Sequence, residues 1–393
     1  MNSFLIKIGK IVNAVKRDGF FATIARLSKA VGMNLRRVES GDVLFITGGA
    51  GVGASSRFRC VNQAEELSKH NFKTAFLTQS SRNLFDTADK FAVFILHRMV
   101  YDERLQKFMD ILKKNKKTII FETDDLLFDP QYLHQVDYLK NINEWEKKLY
   151  KNGLGSQILD DAAVAAAVTT TSFLATKLRK RKEKVFISTN KLSDEDLSFA
   201  QKIREEKRLK GDKTVVLGYF SGTPGHDKDL GTIAAVLSRL FDKYPHLYLS
   251  IAGPLVLSDE LKAYEARIIR VPFTSSRKKH LENVASVDIN IVPLENNDFC
   301  TAKSELKFFE AGILEVPTVA FANQTFCEAI RDGEDGFVAE NETAWESKLA
   351  QLIESAELRN SIASKAYQTA YQRYTNQNSD NAEYYEFLRK CLN

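Results

Sequence analysis

Two lysines and a glutamate at helical spacing make residues 293–312 the part of the chain best equipped for chemistry. The segment follows a predicted strand and enters a predicted helix, and the first turn of a helix offers unpaired N–H groups to an anion. Lys303 and Lys307 add positive charge suited to a diphosphate, and Glu310 lies one turn further, where a carboxylate accepts hydrogen bonds from ribose hydroxyls. A solvated amphipathic helix is the alternative interpretation. The residues predicted to bind a nucleotide here are Lys303, Ser304, Glu305, Leu306, Lys307 and Glu310. Ser304 and Glu305 are expected in the first helical turn.

A second turn of anion-binding character lies at residues 221–229, directly after another predicted strand. Its glycines, proline and polar side chains are typical of a tight turn, and a helix is expected to begin near Leu230. Phosphate sites at two strand ends of the same half indicate one bound nucleotide. The residues predicted to contact it here are Gly222, Thr223, His226 and Lys228.

A glycine-rich run occupies residues 48–57, between the first predicted strand and a helix. Its spacing fits a dinucleotide fingerprint, but no acidic residue ends the next strand to hold a ribose, and Ala54 stands where a P-loop requires lysine. Either the glycines present N–H groups to a phosphate or sugar hydroxyl, or they only permit a tight turn. Gly51, Arg57 and Arg59 are predicted to face a substrate.

Three carboxylates, Glu122, Asp124 and Asp125, cluster where another strand of the first half ends. A D-x-D type metal site is one interpretation, but such acids more often cap a helix or orient basic groups. His97 and Arg98 end the preceding strand, and neighbouring strand ends bring them close to the carboxylates. We expect His97 to act catalytically and Arg98, Asp124 and Asp125 to contact substrate, with no metal bound.

Short β-branched runs alternate with helical stretches from Asp42 onward, which is the pattern of parallel α/β structure. The expected strands are Val43–Thr47, Thr74–Thr78, Phe91–Leu96, Thr118–Glu122, Ala163–Thr169 and Val185–Ser188 in the first half, and Val215–Tyr219, Leu247–Ala252, Arg267–Val271, Ile289–Val292, Thr318–Phe321 and Gly336–Ala339 in the second. The predicted divisions are a helical extension at 1–40, Rossmann-like domains at 41–205 and 206–375, and a C-terminal helix at 376–393 that crosses back to the first domain.

Length and composition limit the classes of protein to which the chain can belong. A length of 393 residues exceeds one average domain, and 44% hydrophobic with 27% charged residues is ordinary for a protein with a packed core. No run of roughly 18 apolar residues predicts a membrane span, and the four scattered cysteines indicate neither a zinc site nor a disulfide framework. We therefore expect a cytoplasmic protein.

The net charge of the chain is +5, and the excess of positive charge lies in residues 1–40, which contain eight lysines and arginines but only two acidic residues. The rest of the chain is nearly neutral, which argues against nucleic acid as a partner. Apolar residues at helical spacing predict two amphipathic helices here, one over residues 4–15 and one over residues 20–27. They either pack on the first domain or lie on the anionic inner face of the cell membrane.

With these motifs in view, the chain resembles a retaining glycosyltransferase of the GT-B fold in family 4, also called group 1, and especially bacterial members that build surface polysaccharides. The resemblance covers residues ~42 to ~375 and is more specific in the second half. It rests on GYFSGT at 218–223, HDKD at 226–229, PLE at 293–295 and the run from Phe299 to Ala311, supported by SRFR at 56–59 and DDL at 124–126.

The resemblance implies an acceptor domain in the first half and a nucleotide-sugar domain in the second. It implies that Glu310 contacts the ribose and that Lys228, with Lys303 or Lys307, contacts the diphosphate. His97, Lys228, Lys303 and Glu310 are accordingly the predicted catalytic residues.

One position departs from the family pattern. Members often carry two glutamates separated by seven residues, and Ala302 occupies the earlier position in this chain. Glu305 or Glu295 is expected to substitute for the missing carboxylate.

We therefore expect a metal-independent enzyme that transfers a hexose from a UDP-, GDP- or dTDP-linked donor to a glycan or lipid-linked acceptor, with retention at the anomeric carbon. No cofactor is expected besides this donor substrate. Two alternatives stay open: a sugar-nucleotide epimerase or hydrolase on the same fold, and a non-catalytic GT-B subunit that binds a partner transferase or glycan.

Overall fold

The computed structural model describes residues 20–48, 51, 53–136, 139, 142, 144–207, 214–221, 227–253 and 255–392. Within them the chain forms two compact units, each built on a parallel six-stranded sheet with flanking helices. The predicted α/β class with two Rossmann-like halves is confirmed. The first unit is Met1–Lys191 with Ala302–Ser304 and Ser379–Asn393, and the second is Leu192–Thr301 with Glu305–Asn378.

The sheet of the first unit has the order β2-β1-β3-β4-β5-β6. Its strands are β1 (Val43–Thr47), β2 (Thr74–Thr78), β3 (Val93–His97), β4 (Thr118–Glu122), β5 (Val164–Thr169) and β6 (Val185–Ile187). Every residue of β1 and β3 is buried, because helices cover both faces of a parallel sheet and leave no solvated side.

The sheet of the second unit has the order β12-β11-β10-β7-β8-β9. Its strands are β7 (Val215–Phe220), β8 (Leu247–Ala252), β9 (Ile268–Val271), β10 (Ile289–Val292), β11 (Thr318–Phe321) and β12 (Phe337–Ala339). The order reverses beside β7, and such a reversal opens a crevice at the carboxyl ends of the strands, where ligands bind in α/β sheets.

The helices connect these strands across both faces of each sheet. Helix α2 runs through the consecutive segments Ala54–Ser56, the π-helical Arg57–Asn62, and Gln63–Lys69. The others are α1 (Phe20–Leu35), α3 (Glu103–Lys114), α4 (Glu144–Tyr150), α5 (Ser156–Asp160), α6 (Ser172–Leu178), α7 (Asp194–Lys207), α8 (Asp227–Gly231), α9 (Ala234–Lys243), α10 (Asp259–Lys262), α11 (Arg277–Ala285), α12 (Asp298–Thr301), α13 (Leu306–Gly312), α14 (Gln324–Ala329), α15 (Glu342–Glu354), α16 (Ala356–Arg373) and α17 (Ala382–Lys390).

Helix α17 completes the core of the first unit. Tyr384, Tyr385 and Leu388 are buried against the apolar residues of the first sheet and of α2. The hydroxyl of Tyr385 donates to Oε1 of the buried Glu66 at 2.6 Å, so a hydrogen bond fixes the helix in addition to its apolar contacts.

All twelve predicted strands agree with the structure to within two residues at each end, but the helix starts and the division of the chain differ. Helix α13 begins at Leu306, with Glu305 as its N-cap, so Ser304 and Glu305 precede the first turn. The two units divide after Lys191, and α7 belongs to the second unit, whereas we expected the division near residue 205. The helix predicted over residues 4–15 lies outside the described residues.

Candidate functional site

Glu310 belongs to the second unit and lies on α13, which follows β10 in the chain. Its side chain is almost fully buried. Its Oε1 pairs with the guanidinium of Arg277, and its Oε2 lies 3.2 Å from Nε2 of His280. Both oxygens of the carboxylate are therefore held by side chains of α11.

Arg277 is the first residue of α11 and connects two buried carboxylates. Its Nε donates to Oδ1 of Asp196 on α7 at 2.7 Å, while its NH1 contacts Glu310. A buried ion pair with additional hydrogen bonds is rigid, because loss of one partner leaves an uncompensated charge. Asp196 thus orients the guanidinium that holds Glu310.

These contacts determine the ionisation of Glu310. Burial raises the pKa of its carboxyl, but the charges and hydrogen bonds of Arg277 and His280 outweigh burial and lower the pKa to about 2. Glu310 is therefore an anion at neutral pH although it is buried.

The lysines predicted to bind the diphosphate have different surroundings. Lys307 is half-buried in α13, with Nζ 5.0 Å from the ring centre of Tyr219 on β7. Lys228 is exposed on α8. Lys303 belongs to the first unit together with Ser304, whose Oγ accepts a hydrogen bond from Nδ2 of Asn190 at 2.9 Å. The predicted nucleotide contacts Gly222, Thr223 and His226 lie outside the described residues.

Asp229 organises the loop after β10. It is buried, and its Oδ1 accepts from the backbone N–H of Glu295 at 3.0 Å and from Sγ of Cys300 at 3.7 Å.

Ala302, at the position of the family's earlier glutamate, is fully buried. Glu305, expected as one substitute, is also buried; burial raises the pKa of Tyr374, and a hydrogen bond from its hydroxyl to Glu305 adds to that effect.

In the first unit, the register of the sheet aligns the chemically capable residues. Thr47 of β1 pairs with His97 of β3, and His97 pairs with Glu122 of β4, so the last residues of three adjacent strands form one row. Nδ1 of the buried His97 contacts Oε2 of Glu122, and its Nε2 lies 2.9 Å from Oγ of Ser55.

Ser55 links His97 to the pair of aspartates. Its hydroxyl donates to Oδ2 of Asp124 at 2.7 Å, so His97 Nε2 must be the donor in its own bond to Ser55. Arg98 has a left-handed backbone with φ of 46°, which is uncommon for a non-glycine residue, and its guanidinium lies 3.4 Å from Asp124 and 3.0 Å from Asp125.

The two aspartates differ in their ionisation. Burial raises the pKa of both carboxyls, but at Asp124 the charge of Arg98 outweighs it and lowers the pKa below the usual value. The pKa of Asp125 stays raised by burial and by the neighbouring Asp124 charge, despite Arg98. One member of the pair therefore protonates more readily than the other.

Arg59 has surroundings that the sequence did not indicate. It is fully buried, and its Nε donates to Glu122 at 2.5 Å while NH1 donates to the carbonyl of Ser188 at 2.7 Å.

Arg57, also predicted to face a substrate, is half-buried at the start of the π-helical segment. Gly51 has a φ of 69°, and a Cβ there would lie 2.7 Å from the Thr78 methyl, so this turn requires glycine.

The structure thus brings together His97, Arg98 and Asp124 around Ser55, and Arg98 extends the cluster to Asp125. Sequence reasoning missed Arg277, His280 and Asp196, which occupy α11 and α7 and are far from Glu310 along the chain. Their only signal is the R-K-K-H run after a polar loop. In the parts of the chain that the structure describes, no group of three or more His, Cys, Asp or Glu side chains is arranged to hold a metal ion.

Comparison with known families finds a match in the second half of the chain. Residues 214–355 match the family described as glycosyl transferases group 1, a range that includes Lys228, Lys303, Lys307 and Glu310. The resemblance to group 1 glycosyltransferases noted from the motifs is therefore confirmed for residues 214–355. No curated protein matches the chain in sequence.

Solved structures confirm the GT-B fold. HepE from Anabaena, in complex with UDP and glucose, matches with a TM-score of 0.59 at 15% identity, over 89% of this chain and 100% of its own. Sucrose-phosphate synthase from Thermosynechococcus elongatus matches with a TM-score of 0.58 at 12% identity, over 86% and 96%. A glycosyltransferase from Rickettsia africae matches with a TM-score of 0.57 at 14% identity, over 90% and 100%.

The depressed pKa of Glu310 predicts a pH-dependent contribution to stability. Because the folded value of about 2 lies below the ordinary value of 4.5, ionised Glu310 stabilises the fold fully above pH ~5, and this contribution declines as the pH falls. Glu310→Gln should therefore cost less at pH 4 than at pH 7, by about 1 kcal/mol in the free energy of unfolding. Denaturant titration of both proteins at the two pH values measures the difference. An equal cost at both values would contradict the assignment.

Proposed function

We propose that the chain is a glycosyltransferase that moves a sugar from a nucleoside diphosphate sugar to a glycan or lipid-linked acceptor, with retention at the anomeric carbon. The observation that carries the proposal is the buried anionic carboxylate of Glu310, held by Arg277 and His280 within the range that matches group 1 glycosyltransferases. The motif resemblance favours a role in bacterial surface polysaccharide synthesis. UDP-linked sugars are the first donors to test, since HepE was solved with UDP and glucose.

In this proposal Glu310 binds the ribose of the donor. Each carboxylate oxygen can accept two hydrogen bonds, so the oxygens that meet Arg277 and His280 retain the capacity to accept from two ribose hydroxyls. Because Arg277 is itself fixed by Asp196, the carboxylate is oriented before the nucleotide arrives.

The lysines would stabilise the leaving diphosphate. As the glycosidic bond breaks, the sugar becomes oxocarbenium-like and negative charge develops on the diphosphate, where preorganised cations lower the barrier most. We assign this role to Lys228 and Lys307 of the second unit. Lys307 is restrained by its contact with the face of Tyr219.

We propose that the acceptor binds the first unit at the row of strand ends. Ser55, Arg98 and Asp124 share hydrogen bonds there, and Arg98 and Asp124 are not fully buried. His97 is buried and contacts Ser55, so it acts as a positioning residue that fixes the hydroxyl of Ser55.

Ala302 favours a second candidate, a GT-B subunit without transfer activity. The small, buried side chain offers no carboxylate near a donor sugar. Incubation with sugar nucleotides separates the candidates: transfer releases nucleoside diphosphate only with an acceptor, a hydrolase releases it without one, and a non-catalytic subunit releases none.

Glu310→Gln should weaken nucleotide binding by about 1–3 kcal/mol, because an amide offers one acceptor oxygen where the ribose diol uses two. Calorimetric titration with UDP, GDP and dTDP measures the change on the nucleotide that binds most tightly. Glu315→Gln is the matched control, since Glu315 follows α13 and also pairs with an arginine, Arg204 at 3.3 Å. Equal affinity of Glu310→Gln and the native chain would contradict the ribose assignment.

Transfer should continue at an unchanged rate after treatment with EDTA. The proposed anion sites use lysines, and the carboxylates of Glu122 and Asp124 are already engaged by Arg59, His97, Arg98 and Ser55. Release of nucleoside diphosphate is measured before and after chelation. Loss of activity that manganese restores would instead identify Glu122 and Asp124 as metal ligands.

We further propose that α1 lies on an anionic membrane surface. None of the helices in the described ranges has the length and apolar character needed to cross a bilayer. Four apolar side chains nevertheless recur at helical spacing on the exposed side of α1: Ile24 (47% exposed), Leu27 (39%), Val31 (58%) and Leu35 (53%). The exposed Arg36 and Arg37 follow directly, and each basic residue near an anionic surface contributes about 1 kcal/mol.

The chain should sediment with phosphatidylglycerol vesicles at low salt and less so at high salt. Val31→Glu should reduce sedimentation, because it places a charge in the apolar stripe. Val61→Glu is the matched control, since Val61 is 44% exposed on α2 and lies outside the stripe. The membrane proposal fails if the chain stays in the supernatant at both salt concentrations, or if the two variants behave alike.

A further inference from the structure

A cavity of about 550 Å³ lies in the second unit, between α7 and α16. We call it the α7–α16 cavity. None of its lining residues belongs to the nucleotide or acceptor sites proposed above. The side chains used below are Asp194, Gln201, Arg204, Tyr367, Tyr371 and Gln377.

Two tyrosines one helical turn apart form an aromatic wall of the α7–α16 cavity. The rings of Tyr367 and Tyr371 are nearly parallel, at 18° with centres 6.1 Å apart, and Tyr371 is 37% exposed. The face of an aromatic ring carries negative charge density and attracts C–H groups. A pyranose presents such groups on one face of its ring, so these tyrosines suit a sugar.

The polar groups of the cavity are joined by hydrogen bonds that include donors and acceptors. The hydroxyl of Tyr371 donates to Oε1 of Gln377 at 3.2 Å, and Nε2 of Gln377 donates to Oδ1 of Asp194 at 3.1 Å. Nε2 of Gln201 lies 3.1 Å from Oε1 of Glu205. Sugar hydroxyls donate and accept, so they can join such a network at several points.

Arg204 adds a donor without an acceptor. Its guanidinium lies 4.1 Å from the ring centre of Tyr367, and NH1 pairs with Glu315 at 3.3 Å. Its Nε–H is buried and has no hydrogen-bond partner among the described residues. A buried donor of this kind, left without an acceptor, is costly.

The charges around the cavity exclude an anionic ligand. Arg204 is already neutralised by Glu315, while Asp194 and Glu205 add negative charge to the wall. These carboxylates would repel a phosphate or a uronic acid, whereas the hydroxyls of a neutral sugar can donate hydrogen bonds to them.

We propose that the α7–α16 cavity is an accessory binding site for a neutral oligosaccharide. One sugar ring lies on the exposed Tyr371, which is stacked with Tyr367, and its hydroxyls bond to Gln201, Gln377 and Asp194. The site binds without chemistry, so it stands whether or not the chain transfers sugar.

Saturation-transfer NMR on the full chain tests this with maltohexaose, cellohexaose, laminarihexaose and chitohexaose, and with a heparin hexasaccharide as the anionic comparison. At least one neutral hexasaccharide should receive saturation from the tyrosine signals, and the anionic one should not. Tyr371→Ala should weaken the affinity for that neutral hexasaccharide about tenfold by removing the stacked ring, while Tyr371→Phe should retain most of the affinity.

A pair of glutamine variants provides the matched control. Gln201 and Gln324 are both exposed, and each donates to a glutamate one turn later, at 3.1 and 2.8 Å, but only Gln201 lines the cavity. Gln201→Ala should weaken binding and Gln324→Ala should not. Binding of none of the neutral hexasaccharides, or equal binding by Tyr371→Ala and the native chain, would overturn the proposal.

Discussion

Every strand pairing in both sheets is parallel, and this constraint determines where chemistry can occur in the molecule. Parallel strands end at one edge, so residues far apart in sequence meet there. Thr47, His97 and Glu122 illustrate the effect, since register alone places them side by side. The α-helices that cover both faces then bury these strand ends, and burial makes a polar group without a partner costly.

Both units also pair a buried carboxylate with an arginine. Arg59 neutralises Glu122 in the first unit, and Arg277 neutralises Glu310 in the second. A buried charge without its partner is far more costly than a surface one. The same ion pairs that permit burial therefore keep Glu122 and Glu310 in fixed orientations, which is what a binding site for a polar ligand requires.

The sequence predicted the sheets more accurately than it predicted the side-chain contacts. Buried β-branched runs identify a parallel strand by themselves, because both faces are covered. The partners of Glu310 depend instead on how α7 and α11 pack, and no local pattern records that packing. Arg59 shows the same limit: its charge suggested a substrate contact, but the helix turns it towards Glu122. The sequence did predict that His97 lies close to Asp124, because neighbouring parallel strands end at one edge, but it did not predict Ser55, which lies on α2 and links the two.

The first unit is discontinuous in sequence, and this has a consequence for its biosynthesis. Tyr384, Tyr385 and Leu388 belong to its apolar core, yet the ribosome makes them after the entire second unit. Domains commonly fold in the order of their synthesis. Here the earlier domain leaves the ribosome with a gap in its core beside Phe186 and must wait for the last helix. During that interval the nascent chain exposes apolar surface that a chaperone can bind.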